Sequence, residues 1–240
     1  MSLTRFPLQI LKSLLTCTER SFDPFIKIRN PIFILLASAL IGQAFATAPT
    51  SETYSHPLLN QIYEMHSLAE AGNKDATRRL VAWLEELTAE QPDNGILLVY
   101  LGSAYTLASR DAFIGPGKLR YLMAGRDCMD RAVTMRPDDP NVRFIRAINN
   151  YHLPTMFNRR SIARDDFRKL VDQLGKNPSC LDSLTSQAVY YYAGLCFAQL
   201  EEEQNARNSW QKGLDLKISG PLTAKITQEL DQLTPTAAGQ

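Results

Sequence analysis

Few side chains in this 240-residue chain stand at spacings that chemistry uses. The histidines, His56, His66 and His152, fall in different stretches with no cysteine at ligand spacing, so no metal site is expected. Cys128, Cys180 and Cys196 form no C-x-x-C pair. An odd number of thiols leaves at most one disulfide, and Cys128 and Cys196 read as small buried hydrophobes inside helices. Asp165 and Asp166 are adjacent on a predicted helix, so their side chains diverge by about 100° and make a poor acid–base pair. No G-x-S-x-G, P-loop or H-E-x-x-H occurs. Arg159-Arg160 offers charge for an acidic partner but reads as a solvated loop-end pair. Glu201 to Glu203 read as a solvated helix start, where acidic charge suits the dipole. The run Tyr190-Tyr191-Tyr192 reads as one core residue flanked by two less buried ones. The expectation is no catalytic residue, no metal, no cofactor, and a protein that binds rather than reacts.

The elements that would present a binding surface are helices. Nine are expected, near residues 57–71, 74–91, 95–113, 117–136, 140–151, 160–174, 183–200, 203–216 and 221–232. No stretch alternates with the period of a strand. Gly72-Asn73 can adopt left-handed backbone and stop the first helix. Asp139-Pro140 puts a capping carboxylate before a proline at the first helical position, and Ser219-Gly220-Pro221 opens the last helix in the same way. The connections are short, so neighbouring helices run antiparallel.

A repeated spacing runs through these helices. Tyr190, Ala193, Gly194 and Phe197 form one apolar stripe, followed by Ala206, Trp210 and Gly213. Leu98, Leu101, Gly102 and Tyr105 are followed by Gly125, Met129, Ala132 and Pro137. Small residues let two helices approach closely, and large ones fill the gaps beside them. The pattern resembles that of tetratricopeptide repeats, including the literal L-G-x2-Y run. Ile218 departs from it where a proline is usual. A third hairpin, 140–174, matches at Ala163, Phe167 and Leu170, but its first helix (Phe144, Ala147, Ile148, Tyr151) is one residue out of register. The first hairpin, 57–91, has the size and few signature residues. The resemblance covers residues 57–216. It implies an all-α fold: about four antiparallel helical hairpins stacked as a short α-solenoid. Residues 221–232 serve as a capping helix with one wet face.

Two surfaces follow as candidates for a partner. Scaffolds of this kind commonly seat peptides in a concave groove. By register Ser103 and Thr106 line it, with Tyr191 and Gln199 further along and His152 on the same side. The other surface comes from two insertions. Gly102 to Gly125 spans 23 positions where Gly194 to Ala206 spans 12. The extra residues lengthen each helix of that hairpin by about one and a half turns. Ala147 to Ala163 is also long. The turns carry Phe113 and Ile114 on one hairpin, and Leu153, Met156 and Phe157 on the next, so the two tips are expected to touch. They form either a satellite cluster tying down long turns or an exposed apolar ridge.

Charge and targeting bound the rest. The chain has 26 basic and 25 acidic residues. Residues 1–46 hold Arg5, Lys12, Arg20, Lys27 and Arg29 against Glu19 and Asp23, so the remainder is mildly acidic. With no basic block, nucleic acid is an unsuitable partner. The apolar run Pro31 to Ile41 precedes Ala44-Phe45-Ala46, an A-x-A cleavage pattern, so residues 1–46 read as a signal peptide or an uncleaved anchor. The uncharged stretch is short of the roughly 20 residues a membrane span needs. Residues 47–56 read as a linker, 57–233 as the helical domain and 234–240 as a flexible tail. The expectation is an exported scaffold, periplasmic or secreted, binding a protein or peptide. The alternative is a solute- or lipid-binding accessory protein of a transport system.

Overall fold

A computed structural model of the protein describes residues 56–233. Residues 1–46, expected as a signal peptide or anchor, 47–55 of the expected linker and 234–240 of the expected tail lie outside the described residues, and His56, expected in the linker, already belongs to the first helix.

Within them the chain forms helices α1 (His56–Glu70), α2 (Lys74–Glu90), α3 (Gly95–Asp111), α4 (Pro116–Met135), α5 (Pro140–His152), α6 (Arg160–Lys176), α7 (Ser183–Gln199), α8 (Glu203–Asp215) and α9 (Pro221–Leu233), with a single 3-10 turn at Thr155–Phe157. No strand occurs among them. Local chemistry sets the starts. Asn73, Asn94, Asp139 and Asp182 each accept two backbone N–H groups at the beginning of α2, α3, α5 and α7. These bonds satisfy donors that a helix end leaves open. Gly72 takes the left-handed conformation at φ 92°, and Asn73 does not: it is the extended cap of the next helix.

Consecutive helices pack as hairpins, α1 with α2, α3 with α4, α5 with α6 and α7 with α8. The first helices of successive hairpins also touch, α1 to α3 to α5 to α7, and α9 continues the row against α7 and α8. The expected stack of four hairpins and a capping helix is what forms. The small residues stand where helices meet most closely. A Cβ added to Gly102 would lie 2.8 Å from the Gly125 carbonyl oxygen and 2.6 Å from Met129 Cγ. A Cβ on Gly194 would overlap the indole of Trp210, whose Nε1 donates to the Tyr191 carbonyl at 3.1 Å.

The long hairpin lengthens as its spacing implied. α3 runs nine residues beyond Gly102, whereas α7 runs five beyond Gly194. α4 starts nine residues before Gly125, whereas α8 starts three before Ala206. Gly115 turns the chain at φ 153°, a region that glycine reaches at little cost, and Pro116 opens α4.

Two helices differ from the amphipathic expectation. α3 packs against α1, α2, α4 and α5, and α7 against α5, α6, α8 and α9. Both are surrounded, so most of their residues are buried, 12 of 17 on each. Tyr190, Tyr191 and Tyr192 are therefore all core residues, not one core residue between two wetter ones.

Candidate functional site

The C-terminal halves of α3 and α5 lie side by side. Thr106 Oγ1 donates to Asn149 Oδ1 at 2.7 Å, and Asn149 Nδ2 donates to Ser103 Oγ at 3.3 Å. The turns that follow the two helices thus leave from one edge of the stack. On that edge Phe113 is 97 % exposed, Ile114 75 % and Met156 83 %. Leu153 and Phe157 are half-buried. The tips do not form a packed satellite cluster, because a ring as open as Phe113 has no neighbour to pack against. Phe113, Ile114 and Met156 are thus individually exposed, while Leu153 and Phe157 are partly covered, and the expected contact between the two tips is not among the contacts of the described residues. Leu119 and Met123, one turn apart on α4, are also large apolar side chains left exposed. The sequence reading missed them, although their i, i+4 spacing at the start of a lengthened helix was a usable signal.

The bases of both tips are tied down. Arg110 donates to the Ala69 and Glu70 carbonyls at the end of α1, at 2.7 and 3.1 Å. Thr77 Oγ1 donates to Asp111 at 2.8 Å, and Ser109 Oγ to the Lys118 carbonyl at 3.0 Å. On the second tip Arg159 donates to Asn150 Oδ1 at 3.0 Å and to Asp130 at 2.6 Å.

The five groove residues do not line one open channel. Ser103 is 5 % exposed and Tyr191 is fully buried, since each sits on a surrounded helix. Thr106 is half-buried and occupied by Asn149. Gln199 is exposed and donates to the Tyr151 hydroxyl at 2.7 Å. His152 is half-buried, and its ring stands edge-on to Tyr151 and Tyr192, with centroids 5.0 and 5.9 Å away. His152 and Gln199 thus share one corner through Tyr151, whereas Ser103 and Thr106 belong to another network.

That second network links three helices. His66 Nε2 lies 2.9 Å from Ser103 Oγ, and His66 Nδ1 lies 3.2 Å from Glu70 Oε1. The order hydroxyl, imidazole, carboxylate is that of a nucleophile, its base and an orienting acid. Here the hydroxyl is in mid-helix, all three side chains are buried, and Asn149 already donates to the same oxygen. Burial pushes the Glu70 carboxyl up, opposed by His66. In this packing the network joins α1 to α3 and α5. His66 and Glu70 sit one turn apart, a legible pair, but their partner 37 residues away was not.

Arginine–aspartate pairs lock α5 to its neighbours. Arg143 and Arg146 both donate to Asp166 at 2.7 Å, and Arg146 also meets Asp130 at 3.1 Å. Asp166 is 1 % exposed while Asp165 faces water, so the two carboxylates diverge as expected. Arg159-Arg160 is not the wet pair expected, because both residues are half-buried where the turn meets α6. Glu202 accepts two bonds from Arg168, and its carboxyl lies below the usual range: burial opposes this, and bonds from Asn205 and Arg168 outweigh it. Cys128, Cys180 and Cys196 are free thiols, and burial pushes Cys196 up to about 12.

Among the described residues no group of His, Cys, Asp and Glu could hold a metal ion, and no helix is long and apolar enough to cross a membrane. No family model matches the chain, and neither the curated proteins nor the solved structures contain a match to it.

Proposed function

We propose that the protein is an interaction scaffold that binds a protein or peptide through the apolar edge formed by its two long inter-helix turns. One observation carries this reading: Phe113, Ile114 and Met156 are large, apolar and exposed on turns whose bases are hydrogen-bonded in place. Solvent-exposed apolar side chains held on a rigid frame bind at a low ordering cost. Leu119 and Met123 are two further exposed apolar side chains, on α4. The concave groove contributes less than the sequence suggested, since Ser103 and Tyr191 are inside the core. The scaffold works outside the cytoplasm, by the apolar run and A-x-A pattern of residues 31–46, in the periplasm if the cell has one.

The test places a photoreactive residue at Phe113 in the full chain, in the cells it comes from, with a control at Lys212 on α8. A defined protein captured at Phe113 and not at Lys212 supports the reading. The variant Phe113→Asp with Met156→Asp then melts at the parent temperature and loses the same protein. Equal capture at both positions, or capture that survives both charges, overturns it.

A further inference from the structure

The two long turns differ from their neighbours in charge as well as in exposure. Residues 112–126 contain no carboxylate and hold Lys118, Arg120 and Arg126. Residues 153–164 contain none either and hold Arg159, Arg160 and Arg164. α2 and α8 begin on the same edge of the stack, and their first turns carry Asp75 and Glu203. The first turns of α4 and α6 carry no acidic residue. A cation such as Lys118 at the start of a helix opposes the dipole, so it does not serve the stability of α4.

The acidic groups nearest the edge are already matched. Asp111 accepts from Thr77 and Arg110, Asp127 from Arg126, Asp130 from Arg146 and Arg159, and Asp165 from Arg164. Lys118 and Arg120 meet no carboxylate within ion-pair distance among the described residues. Arg120 is exposed, with its guanidinium 5.8 Å from the centroid of the Tyr121 ring. The charge left over is positive, and it follows Phe113 and Ile114 directly in the chain.

The two turns also leave the stack at different heights. Asn149 bonds both Ser103 and Thr106, which sets these positions level. From there α3 continues to Asp111, and α5 continues only to His152. At the rise of an α-helix, the first turn leaves about 5 Å beyond the second. Arg159, at the end of the second turn, is fastened to Asp130 on α4 at 2.6 Å. The edge is therefore a step rather than a flat rim. A flat bilayer meets the higher turn first, whereas a polypeptide segment follows the step across both.

We infer that the partner segment at this edge is an acidic peptide, whose large apolar side chains meet Phe113, Ile114 and Met156 and whose carboxylates face Lys118 and Arg120. This rests on the reading of the edge as a docking surface and adds the chemistry of what docks there. Exposed charge pairs contribute little affinity, but they steer the approach and disfavour partners of the wrong sign. The apolar contacts hold the segment, and the charges select it.

The experiment measures fluorescence anisotropy of three labelled peptides titrated with the full chain. All share one pattern of leucine and phenylalanine, with glutamate, glutamine or lysine between. The glutamate peptide is expected to bind at least tenfold more tightly than the lysine peptide, an advantage that shrinks as salt is raised. Lys118→Glu with Arg120→Glu is expected to reverse that preference at an unchanged melting temperature. Phe113→Ser with Met156→Ser, which changes no charge, is expected to weaken all three peptides. Equal affinity for the three, or a preference that survives the Lys118→Glu and Arg120→Glu pair, overturns the acidic partner and leaves the apolar edge standing. Affinities that survive the Phe113→Ser and Met156→Ser pair remove the edge, and this inference with it. No binding of any peptide also overturns the inference, while capture at Phe113 decides the edge separately. Binding to phosphatidylglycerol vesicles in preference to the glutamate peptide overturns it in favour of a membrane surface.

Discussion

At the scale of the residue, two positions tie packing to a measurable property. Gly194 lets Trp210 lie against α7, so Gly194→Ala forces the indole away from its bond to the Tyr191 carbonyl. Overpacking of this kind costs about 1–3 kcal/mol, and urea unfolding is expected to report a loss in that range. A midpoint equal to the parent's would mean that the hairpin absorbs a methyl there. His152 gives a pH dependence. Its ordinary value is 6.5 and burial lowers it to about 4 in the folded protein. Between those values the unfolded chain takes up a proton that the folded chain refuses. Stability therefore falls as the pH drops from 6.5 to 4. His152→Gln is expected to flatten that part of the stability profile, and the wild-type imidazole to titrate near 4 by NMR. A ring titrating near 6.5 would show that water reaches Nε2.

At the scale of the element, α5 is held by ion pairs as well as by its buried apolar face. Asp166 is buried between Arg143 and Arg146, and removing it leaves two guanidinium groups without their main partner. Losing one member of a buried ion pair costs about 3–5 kcal/mol. Asp166→Ala is expected to lose stability in that range by chemical denaturation, against near-neutral effects for Asp165→Ala on the wet side of the same helix. Equal effects at the two positions would contradict the burial of Asp166. The helix limits themselves were legible in the sequence to within two residues, because Gly72, the Asp139-Pro140 start and Pro221 act locally, although Asn73, Asn94 and Asp182 were not read as caps. The orientation of polar residues on α3 and α7 was not legible. Those helices are apolar nearly all round, and such a helix carries no periodic mark of which side a partner could reach.

At the scale of the whole molecule, a stack of hairpins needs an end that is apolar inward and polar outward. α9 supplies it. Leu222 and Ile226 are buried, Ile226 lies over Gly213, and Gln187 Nε2 donates to Thr223 Oγ1 at 3.0 Å. A chain ending at Ser219 is expected to expose that surface and to self-associate at concentrations where the full chain is monodisperse, as light scattering would show. If the shortened chain stays dispersed and melts at the parent temperature, α9 is not the cap. The opposite logic applies to the edge. Phe113, Ile114 and Met156 are exposed without being part of any packed layer, so charging them is expected to leave the melt within about 0.5 kcal/mol of the parent.

The order of helices, the Asp139 cap, the hairpin pairing and the close contacts at Gly102, Gly125 and Gly194 were all determined by the sequence on its own. Each rests on residues near one another in the chain or on a repeat of fixed period. The exposure of the two turns, the burial of Ser103 and Tyr191 and the link from His66 to Ser103 were decided only by the tertiary structure. They depend on how far each hairpin is displaced against the next. Periodicity within a helix reports its own apolar face and carries no information about that displacement.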